Sequence, residues 1–523
     1  MAVAVLIASL VYFVAWPIVA VLRRGLWVDG SLHIGPVADV VRSGRNRRII
    51  GFTVWQATIS TAISVLIGVP LTYLLERRRP WGASLVRTLV LVPFALPTVV
   101  VGAAFIALFG VGGPLGSWGL AQSTIIIVLA HVYFNVAVVV RVVGARWRLL
   151  DDRPTMAARV LGSNRWQSWK ATTIPALRGV VVSAAAIVWL FCLTSFGVIV
   201  ILGGPRRITI ETEIYRLTTQ ELALDRASGW VLVQLAAVLV TLWIANRAVR
   251  PSQALTVRHA DSFVGKGRIA RTLDLVALLT VSVVVVTPLV FVVERALRDD
   301  LLGVRTLGRA SGFGWRPIDS VKQSAQFAMW ATAIALVLGV AIALARSRRW
   351  PGVGVLTPLS VLPIGISAVT LGFGFLIALD RPFDIRAHWQ LVPIAQALVA
   401  LPIVLRTLTP VFDGISLSTR EAATMLGASP ARVARHIDLA VALGAIATAA
   451  AIAMAISFGE FGATSFIART DTPTMPIAIA KLLGRPGASN RAAAFGLATL
   501  LIVIVCGLIG AVSTRRASNE TVL

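Results

Sequence analysis

REAATMLGASPARVARHIDLA, residues 420–440, is polar and helix-forming, yet it lies between two apolar stretches long enough to cross a bilayer. Glu421, Ala422 and Ala423 favour helix. Gly427 tolerates a left-handed backbone and interrupts the run, while Ser429-Pro430 suits the start of another helix. The pattern predicts two short helices joined at an angle. A worn copy, TMAARVLGSNRWQSWKATTIP, occupies residues 155–175, 265 positions earlier.

The surroundings of both copies are apolar. Of 523 residues, 57% are hydrophobic and 14% charged, and the mean hydropathy is +0.84; soluble domains carry about a quarter charged residues. These values describe an all-α integral membrane protein, because a helix satisfies its own backbone polar groups in hydrocarbon and the apolar runs are continuous, not alternating. The formal charge of +26 comes largely from Arg at the ends of apolar runs. Membrane topology explains it without a nucleic-acid partner. Cys192 and Cys506 lie inside apolar runs and read as free thiols.

Twelve spans are expected, near 2–22, 51–75, 84–109, 122–142, 179–202 and 229–246, then 272–293, 324–345, 354–378, 389–408, 441–467 and 493–513. The two sets repeat. Pro17 and Pro288, like Gly68 and Gly339, are 271 apart; Pro93 and Pro363, like Gly102 and Gly372, are 270 apart; Arg141 and Arg406, Gly162 and Gly427, Phe196 and Phe461, and Thr209 and Thr474 are 265 apart. Six spans per repeat is an even number, so the repeats run parallel through the membrane. The expected organisation is a first repeat over 1–246, a linker over 247–271, a second repeat over 272–513 and a tail over 514–523.

Lys and Arg set the orientation. ERRR at 76–79 and RSRR at 346–349 place their loops, the 155–175 and 420–440 inserts and both termini in the cytoplasm of a multi-pass protein of the inner or plasma membrane. The loop at 23–48 carries six Arg and argues locally for the opposite sense. Trp81 and Trp350 read as interface anchors, and Arg141 and Arg406 as snorkelling anchors.

The spacing Glu-Ala-Ala, three residues, Gly, then an Ile-x-Leu ending resembles the cytoplasmic loop of ATP-binding-cassette (ABC) importer permeases. The second copy carries it in Glu421, Ala422, Ala423, Gly427, Ile437 and Leu439, with Ala440 where that family has Pro. The first carries Ala157, Ala158, Gly162, Ile174 and Pro175, with Met156 in place of Glu. The resemblance covers nearly the whole chain and narrows to the fused permeases of thiamine and ferric-iron importers, through SFGVIVILGGPRRITIETEIY (195–215) and FGEFGATSFIARTDTPTMPIAIAKLLG (458–484). It implies the type I importer permease fold, a path between the two repeats, two cytosolic ABC ATPase subunits gripping the inserts, and an extracytoplasmic solute-binding protein.

Within the spans, Glu460 is an ionisable group at membrane depth, which costs about 2.5–3.5 kcal/mol on insertion scales and therefore faces protein or water. It and its repeat partner Ser195 are the expected path or gate residues. Gly265-Lys266 lacks the flanking Gly and Ser/Thr of a phosphate-binding loop, and the His and Cys show no metal-ligand spacing. The expectation is therefore a transport subunit with no cofactor and no ATPase site of its own. An ion-gradient-driven secondary transporter is the alternative, and it requires intramembrane acid or His relays.

Overall fold

The computed structural model describes residues 2–28, 31–32, 35–248, 268–380, 384–386, 388–469 and 471–520. Most of the expected linker, 249–267, and residues 521–523 of the expected tail lie outside the described residues. The fold is helical. The sole sheet among the described residues is a two-residue hairpin, Trp27–Val28 with Ser31–Leu32.

Among the described residues, ten helices are long and apolar enough to cross a membrane. In the first half these are the first, second, fourth, fifth and sixth spans, Val3–Leu26, Gly44–Arg78, Thr124–Trp147, Arg165–Leu193 and Leu224–Ala245. In the second half they are the seventh, eighth, tenth, eleventh and twelfth, Arg268–Arg298, Pro317–Ser347, Leu391–Asp413, Pro430–Gly459 and Ala488–Ala511. The third and ninth are bent pairs: Ala83–Ala95 with Thr98–Phe109 at 105°, and Val353–Pro363 with Ala368–Ala378 at 109°. Counting each pair once gives twelve.

The bends correct the expectation of straight spans at 84–109 and 354–378. Leu96 precedes Pro97 and is held extended (ψ 147°), as the proline ring demands of its predecessor. In the ninth span Ser367 is extended (ψ 151°) and accepts a hydrogen bond from the Thr370 amide, starting a new helix. The fifth and eleventh spans also differ from expectation. Each starts inside the polar insert and runs through a one-turn π-helix, Trp169–Thr173 or Ala434–Asp438. Each stops early, at Leu193 or Gly459, and resumes as a short helix, Gly197–Leu202 or Thr464–Ile467.

Within each half the same glycine lets the second helix approach the fourth. A Cβ on Gly68 would lie 2.7 Å from Val139, and one on Gly339 would lie 2.5 Å from Val404. Both partners are 265 residues apart, so the contact recurs with the repeat. The opening span of each half, however, crosses to the other. Val3–Leu26 packs on the ninth span: Trp16 Nε1 donates to the Ala378 carbonyl (3.1 Å), Phe13 meets Phe375 edge-on, and Gly374 leaves room for Pro17. Arg268–Arg298 packs on the third and reaches the fourth, where Tyr133 donates its hydroxyl to the Val285 carbonyl (2.7 Å). Arg78 pairs with Asp274 at 3.0 Å. The central core draws residues from both halves.

Two of the six Arg in the loop at 23–48 pair with carboxylates. Arg45 forms a two-pronged pair with the buried Glu213, and Arg24 pairs with Asp225 at 2.7 Å. Substituting Gly68→Ala or Gly339→Ala should lower the melting temperature in detergent, because overpacking costs about 1–3 kcal/mol. Adding Val404→Ala to Gly339→Ala should recover most of the loss, because it removes the Cγ1 that a Cβ at 339 would meet and leaves the Val404 Cβ at 3.6 Å. Gly51→Ala, with open space around it, should cost nothing.

Candidate functional site

Both inserts fold as expected into a helix, a left-handed glycine and a second helix. Arg153–Val160 ends at Gly162 (φ +91°), and Leu417–Met425 ends at Gly427 (φ +81°). The stop is the same hydrogen-bonded motif in each. The amide of Ser163 donates to the Ala158 carbonyl and that of Ala428 to Ala423, while Gly162 bonds Arg159 and Gly427 bonds Thr424. The preceding amides, of Leu161 and Leu426, reach Ala157 and Ala422. The second helix is then capped by Asn164, in a reciprocal pair with Gln167, or by Ser429 ahead of Pro430. Glu421 stays exposed beside Ala422. The turn lifts an apolar pair into solvent: Val160-Leu161 in one copy and Met425-Leu426 in the other, with Leu161 86% and Leu426 88% exposed.

Sequence reasoning missed what fixes these inserts to the spans. Arg420 is buried; it donates to Asp438 (2.7 Å), Ser347 and the Phe412 carbonyl, and Arg348 takes the second oxygen of Asp438. In the first half Arg77 plays the part of Arg348, binding Asp152 (2.8 Å) and the Leu150 carbonyl. The triple-arginine clusters at 76–79 and 346–349 thus brace the inserts. Burial was the missing signal, since nothing in the sequence distinguishes Arg77 from its neighbours.

Ser195 and Glu460 sit at the two places where the fifth and eleventh spans break. Ser195 Oγ lies 2.8 Å from Nε2 of the buried His131, whose Nδ1 is 3.5 Å from Ser60 Oγ. Glu460 accepts from the amides of Ala463 and Thr464, both at 2.8 Å, and from the Thr464 hydroxyl, to which Gln396 also donates. Gln396 stands 265 residues after His131, so the supports are equivalent in place and different in chemistry. Just beyond them the two halves touch: Phe196 and Phe461 stack with ring centres 5.2 Å apart.

The seam extends to the short helix Ile210–Thr219. Tyr215 packs on Phe196 at 5.2 Å and meets Phe466 edge-on at 5.4 Å. One turn before Tyr215, on the same face, is Glu211, fully buried. Gln234 donates to its Oε1, while its Oε2 has no hydrogen-bond partner among the described residues. Among the acids, the sequence singles out Glu460; Glu211 is hidden because its helix is too short and polar to read as membrane-embedded.

The family model for the binding-protein-dependent transport system inner membrane component matches residues 49–250 and again 335–519. The chain belongs to this family. Its membership favours the permease expectation over the ion-gradient alternative and makes the chain a transport component. The thiamine transport system permease protein ThiP of Brucella abortus is 27% identical over 498 residues, covering 90% of this chain and 88% of the relative. ThiP of Escherichia coli is 24% identical over 483 residues, covering 88% and 87%. A solved bacterial ABC transporter that imports alginate aligns with 47% of this chain and 93% of its own at 19% identity and a TM-score of 0.40.

Glu460→Gln should lower the melting temperature by the equivalent of about 1–3 kcal/mol, because the amide turns a donor toward buried N–H groups. A scanning-calorimetry trace matching the unmodified permease would mean that the carboxylate does not hold this break.

Proposed function

We propose that this permease forms the path of a thiamine importer, with Phe196, Phe461 and Tyr215 closing the seam between its halves and Glu211 meeting the substrate's charge. The chemistry of the seam carries the substrate reading. Thiamine joins an aromatic aminopyrimidine to a permanently cationic thiazolium, and aromatic faces beside a carboxylate suit such an ion. The relatives named as thiamine permeases, alike over about nine-tenths of the chain, support the same choice. Ser195 and Glu460 set the breaks that bring the two phenylalanines together, and so act on this gate from behind it.

The inserts are the input. With both termini cytoplasmic, the turns at Gly162 and Gly427 face the cytosol, and the Val160-Leu161 and Met425-Leu426 pairs seat in two ATPase subunits. Ala157, Ala158, Glu421, Ala422 and Ala423 shape the helices that carry them. Moving a gate from 1:99 to 99:1 takes about 5.5 kcal/mol of differential binding, which ATP-driven closure of two subunits on two rigid arms supplies. An extracytoplasmic receptor delivers substrate at the opposite face. The halves, 1–246 and 272–513, move as the two sides of the gate.

Proteoliposomes holding the permease, its ATPase subunits and the receptor should accumulate labelled thiamine on ATP addition. Glu211→Gln keeps the shape and the Gln234 contact, and should cut uptake about tenfold or more, the worth of one charge-assisted contact. Ferric-iron accumulation without thiamine accumulation would overturn the substrate reading. Leu161→Asp with Leu426→Asp should abolish receptor-stimulated ATP hydrolysis while leaving the permease folded; hydrolysis at the unmodified rate would remove the inserts from the coupling path.

A further inference from the structure

A cleft of about 430 Å³ opens beside the turn between the second and third spans, lined by Arg79, Gly82, Ala83, Ser84, Arg87 and Arg148. Three cations converge there from three segments: the turn itself, the first arm of the third span, and the end of the fourth. One carboxylate gathers two of them. Glu76 is 3% exposed; Arg87 Nε lies 2.9 Å from its Oε1 and Nη2 donates to its Oε2, while Arg148 Nε is 3.5 Å from Oε2. Arg79 donates to the Glu76 backbone carbonyl (2.9 Å). Three positive charges against one negative leave the cluster with a net charge of two.

The cleft also meets the start of the helix Ala83–Ala95, thirteen residues long, whose N-cap Gly82 is left-handed (φ +86°) and supplies no side-chain cap. The positive end of that helix adds to the field of the arginines. A Cβ on Gly82 would meet nothing within 4 Å, so the space over the turn is open.

The second half is an internal control. It repeats the turn, with Arg349 at φ +51° and Gly352 at φ +90°. It does not repeat the charges: Arg346, Thr357 and Asp413 stand where Glu76, Arg87 and Arg148 stand in the first half. Arg346 and Asp413 approach at 3.6 Å, and Val3 and Ile7 of the first span cover Gly352. The turn therefore folds without arginines in the places of Arg87 and Arg148, and their assembly with Arg79 around an open cleft serves something besides the fold.

We propose that this cleft binds a phosphate group, supplied by an anionic lipid head group or by a free phosphorylated solute. Guanidinium groups with spare N–H donors and an uncapped helix start are the partners that phosphate oxygens require. Trp81, adjacent and 90% exposed, belongs to the class of side chain that sits at head-group level. Arg148 leads directly into the insert bearing Gly162, so occupancy bears on the base of that arm.

The test uses the permease with its ATPase subunits in nanodiscs of phosphatidylcholine, with or without phosphatidylglycerol, and compares Arg79→Gln/Arg148→Gln with the control Arg346→Gln/Arg349→Gln. Native mass spectrometry reads retained phosphatidylglycerol, and calorimetry in phosphatidylcholine alone reads binding of inorganic diphosphate. Loss of about tenfold in either arm, in the first variant and not in the control, supports the site. The arm that responds names the source. Should the double variant fail to fold, Arg148→Gln alone, on a half-exposed side chain, carries the comparison. Equal retention and equal calorimetric binding in wild type and variant overturn the proposal.

Discussion

A chain that breaks its helices at membrane depth has to satisfy the freed backbone groups from within, because hydrocarbon offers no partner. Everything distinctive here depends on how that is done at two positions. At the first, Gln56 of the second span donates to the Cys192 carbonyl, and Ser195 meets His131. At the second, Glu460 folds back to take two amides and a hydroxyl of the following turn. With the breaks held, Phe196 and Phe461 meet face to face and Gly197 turns into the Thr98 side chain.

The crosswise placement of the opening spans ties each half to the other. Each half lends its opening helix to the other, through Trp16 and Ala378 at the ninth span and through Val285 and Tyr133 at the fourth. Small residues at close approaches, such as Gly374 under Pro17, hold these crossings by packing, as helices in lipid must. The inserts are braced separately, by Arg420, Arg348 and Asp438 or by Arg77 and Asp152.

Much of this was legible in the residues. Apolar length located all twelve spans, and Gly162 and Gly427 announced the left-handed stops, because few other residues adopt that conformation freely. The bends at Pro97 and Ser367 were not legible as bends: a proline within an apolar run is compatible with a kink, a stop or an unbroken helix, and tertiary contact chooses. The starts of the fifth and eleventh spans were missed because a π-helical turn carries the polar insert into the membrane helix without a compositional break. Glu460 was legible as unusual, but its partners are amides, which sequence does not distinguish. Glu211 and His131 were invisible as site residues, since their meaning lies in what surrounds them.

We propose the Phe196–Phe461 seam as the closed gate between the halves. Cysteines at these two positions, in a chain carrying Cys192→Ser and Cys506→Ser, allow a short thiol cross-linker to lock it. The account predicts that locking stops thiamine uptake in proteoliposomes, that reductive release of a cleavable linker restores it, and that ATP with receptor slows the cross-linking. Full uptake by fully cross-linked protein would contradict it.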